Sequence, residues 1–143
     1  LSFRGEVDSQ VFPCLGELDG CERLMTEIEA KKGFLPTATW LAEYVGAGPL
    51  HLEYCGTIQA VQTHEGKASI QNIGVVPSHR GQGLGSALIM ASLLGLQYLG
   101  IRKVQLEVTS DNHGAVRLYR QLGFRTARTL YKAVELAYSA TAR

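Results

Sequence analysis

Arg80-Gly81-Gln82-Gly83-Leu84-Gly85-Ser86 decides the reading of this chain. An extended run ending at Val76-Pro77 leads into it, and a largely apolar stretch, Ser86 to Leu99, leaves it. The order is strand end, a turn with glycine at alternate positions, then a helix opening directly from the turn. Absent side chains let backbone N–H groups converge on an oxyanion, and the helix N-terminus adds about half a positive charge. Such a turn suits phosphate. Two common glycine-rich motifs do not fit: GxxxxGK[ST] is absent, and a GxGxxG dinucleotide fingerprint would need glycine where Ser86 stands.

Working outward, the runs Glu53 to Thr63 and Lys67 to Val76 flank His64-Glu65-Gly66, where glycine supplies the positive φ of a tight hairpin. These two strands are expected to be antiparallel neighbours. In the second, Ala68 and Ile70 share one parity and Ile73 and Val75 the other, so the apolar face flips around Gln71-Asn72. A β-bulge explains the flip, and so would a sheet buried on both faces. Further upstream, Thr37 to Val45 alternates as a strand, and residues 21–31 place Leu24, Met25 and Ile28 on one face of an amphipathic helix. Downstream, Gly100 closes the helix that ends near Leu99, and Lys103 to Thr109 alternates as a strand. Asp111 or Asn112 caps a helix whose stripe is Ala115, Leu118, Tyr119 and Leu122, ended by Gly123. Phe124 and Thr129 to Leu136 supply last strands.

At 143 residues, 45% hydrophobic and 19% charged, the chain fits one domain of mixed α/β class and excludes disorder. The net charge of +1 conceals two halves. Residues 1–65 hold ten Asp/Glu against four Lys/Arg, and residues 66–143 hold ten Lys/Arg against three Asp/Glu. The second half is therefore suited to an anion. Cys14, Cys21 and Cys55 have neither CxxC nor Cys/His metal spacing, which points to a reducing compartment and no metal. Cys55 reads as a buried strand cysteine; His51, His64, His79 and His113 read as ordinary surface histidines. No apolar run is long enough to span a membrane. The expected setting is a soluble cytoplasmic protein. Because Leu1 is not Met, a processed product or a piece of a longer chain is open.

Arg80-x-x-Gly83-x-Gly85 resembles the acyl-CoA pyrophosphate signature of the GNAT N-acetyltransferase superfamily. Asn112-x-x-Ala115-x-x-x-Tyr119-x-x-x-Gly123-Phe124 is similar to that family's later motif, at the right distance for an intervening helix, strand and helix. The resemblance covers about residues 37–136. It implies a mixed, mostly antiparallel twisted sheet flanked by helices and splayed between the family's fourth and fifth strands, within a single domain over residues 1–143. It also implies acetyl-CoA in that splay. Ile73, Gly74 and Val75 would pair with the pantetheine, while Gly81, Gln82, Gly83, Leu84, Gly85 and Ser86 would hold the pyrophosphate. Arg80 would add charge, and Asn112 would join the cofactor-binding set.

Acetyl transfer to an amine needs a neutral amine, an oxyanion stabiliser and an acid for the departing thiolate. Tyr119 matches the family's acid, although its place on an apolar stripe equally suits a core tyrosine. Backbone N–H of the bulged strand is the implied oxyanion donor. Leu106-Glu107-Val108 with Tyr119, together with Ala68-x-x-x-Asn72-Ile73-x-Val75-x-Pro77, resembles the bacterial ribosomal-protein N-terminal alanine acetyltransferases. There the position of Glu107 provides the base, and a mid-strand carboxylate in apolar surroundings is suited to one. An amide at Asn72 cannot take a proton, leaving that residue as a ligand for the amine or a water. Thr129 to Val134 lacks the paired tyrosines of those enzymes. The acceptor is thus open among a small-molecule amine, a peptide N-terminus and a lysine, with no nucleic acid or membrane partner expected and a homodimer allowed. A CoA-binding module without turnover is the alternative.

Overall fold

In the computed structural model, which describes residues 25–46 and 52–131, four strands form one sheet. Their order is β1 (Trp40–Val45), β2 (Leu52–His64), β3 (Lys67–Val75) and β4 (Lys103–Leu106). β1 with β2 and β2 with β3 run antiparallel, whereas β3 with β4 runs parallel. The expected mixed, mostly antiparallel sheet is therefore present. The chain divides into two compact units, one ending at Thr109 and one beginning at Ser110.

The hairpin forms as its sequence dictates, with Gly66 at φ 67° in the turn between β2 and β3. Gln59 faces Asn72 and Ala60 faces Ile70, so Gln71 is an extra residue in β3. The parity flip is a β-bulge. Immediately before it, pairing with β4 stops: the parallel ladder runs only from Lys67 opposite Lys103 to Ile70 opposite Leu106. Among the described residues, the part of β3 after Ile70 pairs with β2 alone. Here the two parallel strands part. β4 ends at Leu106 rather than at the expected Thr109, because beyond Ile70 the bulged strand no longer offers it a ladder.

Parallel neighbours need a crossover, and helix α1 (Leu84–Tyr98) supplies it, starting two residues before the expected Ser86. Its inner face buries Leu88, Ile89, Ser92, Gly95 and Leu96. Leu96 packs with Ala38, Ala60 and Ala68 in a fully enclosed cluster, with Leu35, Leu93, Ile101 and Val104 around it. Small residues let the helix approach closely. Ser92 Oγ donates to the Ala38 carbonyl at 2.7 Å, and a Cβ on Gly95 would fall onto the Thr37 carbonyl oxygen. That contact is made by a 3-10 turn, Pro36–Ala38, which replaces the first part of the expected strand from Thr37. Gly100, at φ 75°, ends α1 as expected.

β1 departs from simple alternation. Its register with β2 shifts between Ala42 and Glu43, opposite Gly56 and Tyr54, and Trp40 and Tyr44 are about half exposed at 46% and 50%. Among the described residues β1 has no second neighbour. Residues 25–29 are helical, with Ile28 buried; the remainder of the expected helix over 21–24 lies outside the described residues.

In the second unit, helix α2 (His113–Gln121) is capped by Asn112, whose Oδ1 accepts the Ala115 N–H at 3.2 Å. Gly123, at φ 92°, follows its end. Tyr119 is the buried residue of this helix and meets Phe124 edge-on at a centroid distance of 6.1 Å. No strand is formed by residues 124–131, contrary to the expectation for Phe124 and Thr129; residues 132–136 lie outside the described residues. Among the described residues this stretch has no ladder partner, and an extended run without one is not a strand.

Candidate active site

The parting of β3 from β4 leaves residues 71–75 with one ladder edge not taken by β4, and Ile73, Gly74 and Val75 are all half-buried along it. β3 then leads through Val76 and the 3-10 turn Pro77–His79 into the glycine-rich turn. Gly81 and Gly83 adopt φ of 74° and 81°, the left-handed region that side chains disfavour. Gly83 caps α1 without any side-chain bond, and the first intrahelical bond runs from Ala87 N–H to the Gly83 carbonyl. The N–H groups of Leu84, Gly85 and Ser86 thus precede the first helical acceptor and point out of the helix start, together with its positive dipole end. Anion binding is what such an end does.

Arg80 is exposed but tethered to the backbone. Its Nε–H donates to the Val75 carbonyl at 2.9 Å, which fixes the guanidinium where β3 meets the turn. The expected cofactor residues of the first unit, Ile73 to Val75 and Arg80 to Ser86, therefore form one continuous path.

Glu107 stands one residue past β4 and is exposed. The apolar enclosure expected of a mid-strand carboxylate is absent, because the strand ends before it. Asn112 and Tyr119 belong to the second unit. The Asn112 side chain caps α2, and burial raises the Tyr119 hydroxyl above its ordinary pKa of 10.0, so at neutral pH this phenol keeps its proton.

Asn72 lies at the bulge, directly across from Gln59 on β2. Gln59 is 3% exposed and was not singled out by its sequence context, since a lone glutamine between Ile58 and Ala60 carries no motif. Its Nε2 donates to Thr57 Oγ1 at 2.6 Å, and Thr57 Oγ1 donates to the Trp40 carbonyl at 3.3 Å. Gln59 Oε1 and Asn72 Nδ2 are both buried without a hydrogen-bond partner among the described residues.

A cleft of about 290 Å³ opens at the turn, lined by Gln82, Gly83 and Leu84 of the expected cofactor set together with Glu43, Tyr44, Cys55, His79 and Ala87. His79 is not the plain surface histidine expected. Its Nε2 lies 3.3 Å from Glu53 Oε2, and its ring sits 5.1 Å from that of Tyr44. Such pairing is a consequence of the β1–β2 register and could not be read from spacing. Cys55 is buried as expected and donates to the Ala42 carbonyl at 3.4 Å. Burial, reinforced by the Glu53 carboxylate, pushes its thiol up, which suits packing rather than attack. Among the described residues no group of His, Cys, Asp or Glu is placed to hold a metal, and no helix is long and apolar enough to cross a membrane.

Comparison with known proteins defines the class. The profile of the acetyltransferase (GNAT) family matches residues 15–124, running across the division at Thr109, and the chain belongs to that family. Over 60 residues it is 47% identical to a mycothiol acetyltransferase of Actinosynnema mirum, a stretch that is 42% of this chain and 20% of that protein. The chain spans about a fifth of the length of the curated relatives it matches. Among solved structures, it is similar to the aminoglycoside N-acetyltransferase AAC(6')-Iy in complex with CoA, with a TM-score of 0.66 at 17% identity over 91% of this chain and 84% of that one. It is also similar to the ribosomal-protein-S18-alanine N-acetyltransferase from Escherichia coli, with a TM-score of 0.59 at 24% identity over 75% and 62%. At these identities the likeness to the solved structures is one of fold.

Proposed function

We propose that this chain is a single acetyltransferase domain that moves an acetyl group from acetyl-CoA to a primary amine by direct attack in a ternary complex. The observation that carries the reading is continuity: the β3 edge left by β4 at residues 71–75 runs through the Arg80–Val75 bond into the N–H groups that open α1. A strand edge suits the amide groups of pantetheine, and a helix start with a fixed guanidinium suits a pyrophosphate.

In this reading the neutral amine nitrogen attacks the thioester carbonyl carbon, forming the C–N bond. The oxygen of the tetrahedral intermediate takes a hydrogen bond from backbone N–H at the bulge. Collapse breaks the C–S bond, and Tyr119, protonated at neutral pH, gives its proton to the CoA thiolate. Glu107, directly or through water, receives the proton lost by the attacking amine. Asn112 completes the cofactor-binding set, and Asn72 contacts the amine. The acceptor is a small-molecule amine, a peptide N-terminus or a lysine, and the domain works in the cytoplasm.

The deciding experiment measures thiol release from acetyl-CoA over a panel of amines, amino acid amides and peptides, alongside calorimetry with CoA. Transfer to at least one acceptor with saturable acetyl-CoA dependence is expected. Tight CoA binding without transfer to any acceptor would make the domain a binding module, and absence of CoA binding would overturn the reading.

A further inference from the structure

Gln59 and Asn72 are directly opposed across β2 and β3, so their side chains share one face of the sheet. That face is the one away from α1, because the neighbouring Ala60 packs with Leu96 of the helix and successive strand residues alternate. The orientation of the Gln59 amide is set by a chain of bonds. Thr57 commits its hydroxyl proton to the Trp40 carbonyl and so accepts from Gln59 Nε2, which leaves Oε1 as the atom facing away. Across from it, Asn72 Nδ2 is a donor. One buried acceptor and one buried donor therefore belong to opposed residues on the same face of the sheet, each without a partner among the described residues, at the point where β3 bulges and parts from β4.

A buried amide left unpaired destabilises a fold, and a site holding such groups discriminates strongly between ligands that satisfy them and ligands that do not. We infer that Gln59 and Asn72 form a specificity pair that selects acceptor amines bearing, next to the amine, a group that both donates and accepts a hydrogen bond, namely a hydroxyl or an amide. The group donates to Gln59 Oε1 and accepts from Asn72 Nδ2. Asn72 is only half-buried as a residue, whereas Gln59 is buried and, with Thr57, lines a small apolar pocket shared with Met25, Ile28, Phe34 and Trp40. This rests on the transferase reading above and adds to it a residue, Gln59, and a chemical class of acceptor.

The test compares leucinol, leucinamide and 4-methylpentan-2-amine, which share a carbon skeleton around the amine and differ in the neighbouring group. The wild-type protein is expected to favour leucinol or leucinamide over the deoxy amine by about tenfold or more in kcat/KM. The two polar arms tell a hydroxyl reader from an amide reader. Gln59→Met should bring the ratio close to one while leaving KM for acetyl-CoA unchanged; a purely structural role would instead lower Tm and depress all three amines alike. Asn72→Leu, at a half-buried position, repeats the test should Gln59→Met fold poorly. No preference in the wild type, or a preference that survives both substitutions, overturns the inference even if transfer itself is robust. If none of the three amines is acetylated, calorimetric binding of leucinol and the deoxy amine in the presence of CoA decides it, and equal affinities overturn it. Failure of the transferase reading is registered separately, by the wider acceptor panel.

Discussion

Arg80 Nε–H donates to the carbonyl of Val75 at 2.9 Å, joining the last residue of β3 to the first residue of the glycine-rich turn. The bond holds a positive charge at the junction where pantetheine would give way to pyrophosphate. Arg80→Ala is expected to weaken CoA binding several-fold and to make the fall in affinity with added salt shallower, as one fewer cation is screened. Calorimetry at low and high ionic strength checks both. Unchanged affinity would show that Arg80 braces the turn without meeting the ligand.

The turn itself depends on Gly83, which combines φ 81° with open space around the position of a Cβ. Gly83→Ala should therefore destabilise through backbone strain alone, by about 1–2 kcal/mol, and should lower CoA affinity as the turn relaxes. Gly114→Ala, also in open space but without a positive φ, provides the contrast and should be neutral or slightly stabilising. Thermal melts with and without CoA distinguish the two.

Gly95 fails for a different reason. A Cβ there would run into the Thr37 carbonyl oxygen and approach the Ala38 Cα, backbone atoms that cannot rotate away. Gly95→Ala should cost about 1–3 kcal/mol by prising α1 from the 3-10 turn, despite the higher helix propensity of alanine. A melting temperature at or above that of the wild type would contradict the close approach.

Burial of Tyr119 raises its hydroxyl above the ordinary value of 10.0. The folded protein then holds this proton longer than the unfolded chain, so the stabilisation is complete below about pH 10 and is lost as pH rises through the folded value. Tyr119→Phe should show a flatter decline in stability above that pH. In turnover, the same substitution should lower kcat with little change in acetyl-CoA affinity, and equal kcat would remove Tyr119 from the acid role.

Glu107 is exposed one residue beyond β4, so its replacement tests chemistry with little disturbance of packing. Glu107→Gln is expected to lower kcat by about 10²-fold if it receives the amine proton, with Tm and CoA binding unchanged. Turnover within a factor of about two would discard the role, since general-base contributions are far larger.

Much of this arrangement was legible in the chain itself. The hairpin followed from Gly66 and the phosphate-suited turn from glycines at 81, 83 and 85, whereas the change of parity between Ile70 and Ile73 fitted either a bulge or a sheet buried on both faces until strand register made Gln71 the extra residue. Helical spacing put the cap of α2 at Asp111 or Asn112, of which the structure selects Asn112, and put Tyr119 on the apolar stripe that is buried. These features are local: each is set by φ requirements or side-chain periodicity over a few neighbouring residues.

Other features depended on residues distant in sequence. β4 stops at Leu106 because the bulge in β3 withdraws its ladder, which no property of Glu107 or Val108 announces. His79 pairs with Glu53, and Gln59 opposes Asn72, only because strand register brings them together. The sequence alone determined the local devices and the order in which they occur. Tertiary structure decided where β4 leaves β3 and which buried polar atoms lack a partner among the described residues, since both depend on register between strands, and register is fixed by the packing of the whole sheet against its helix.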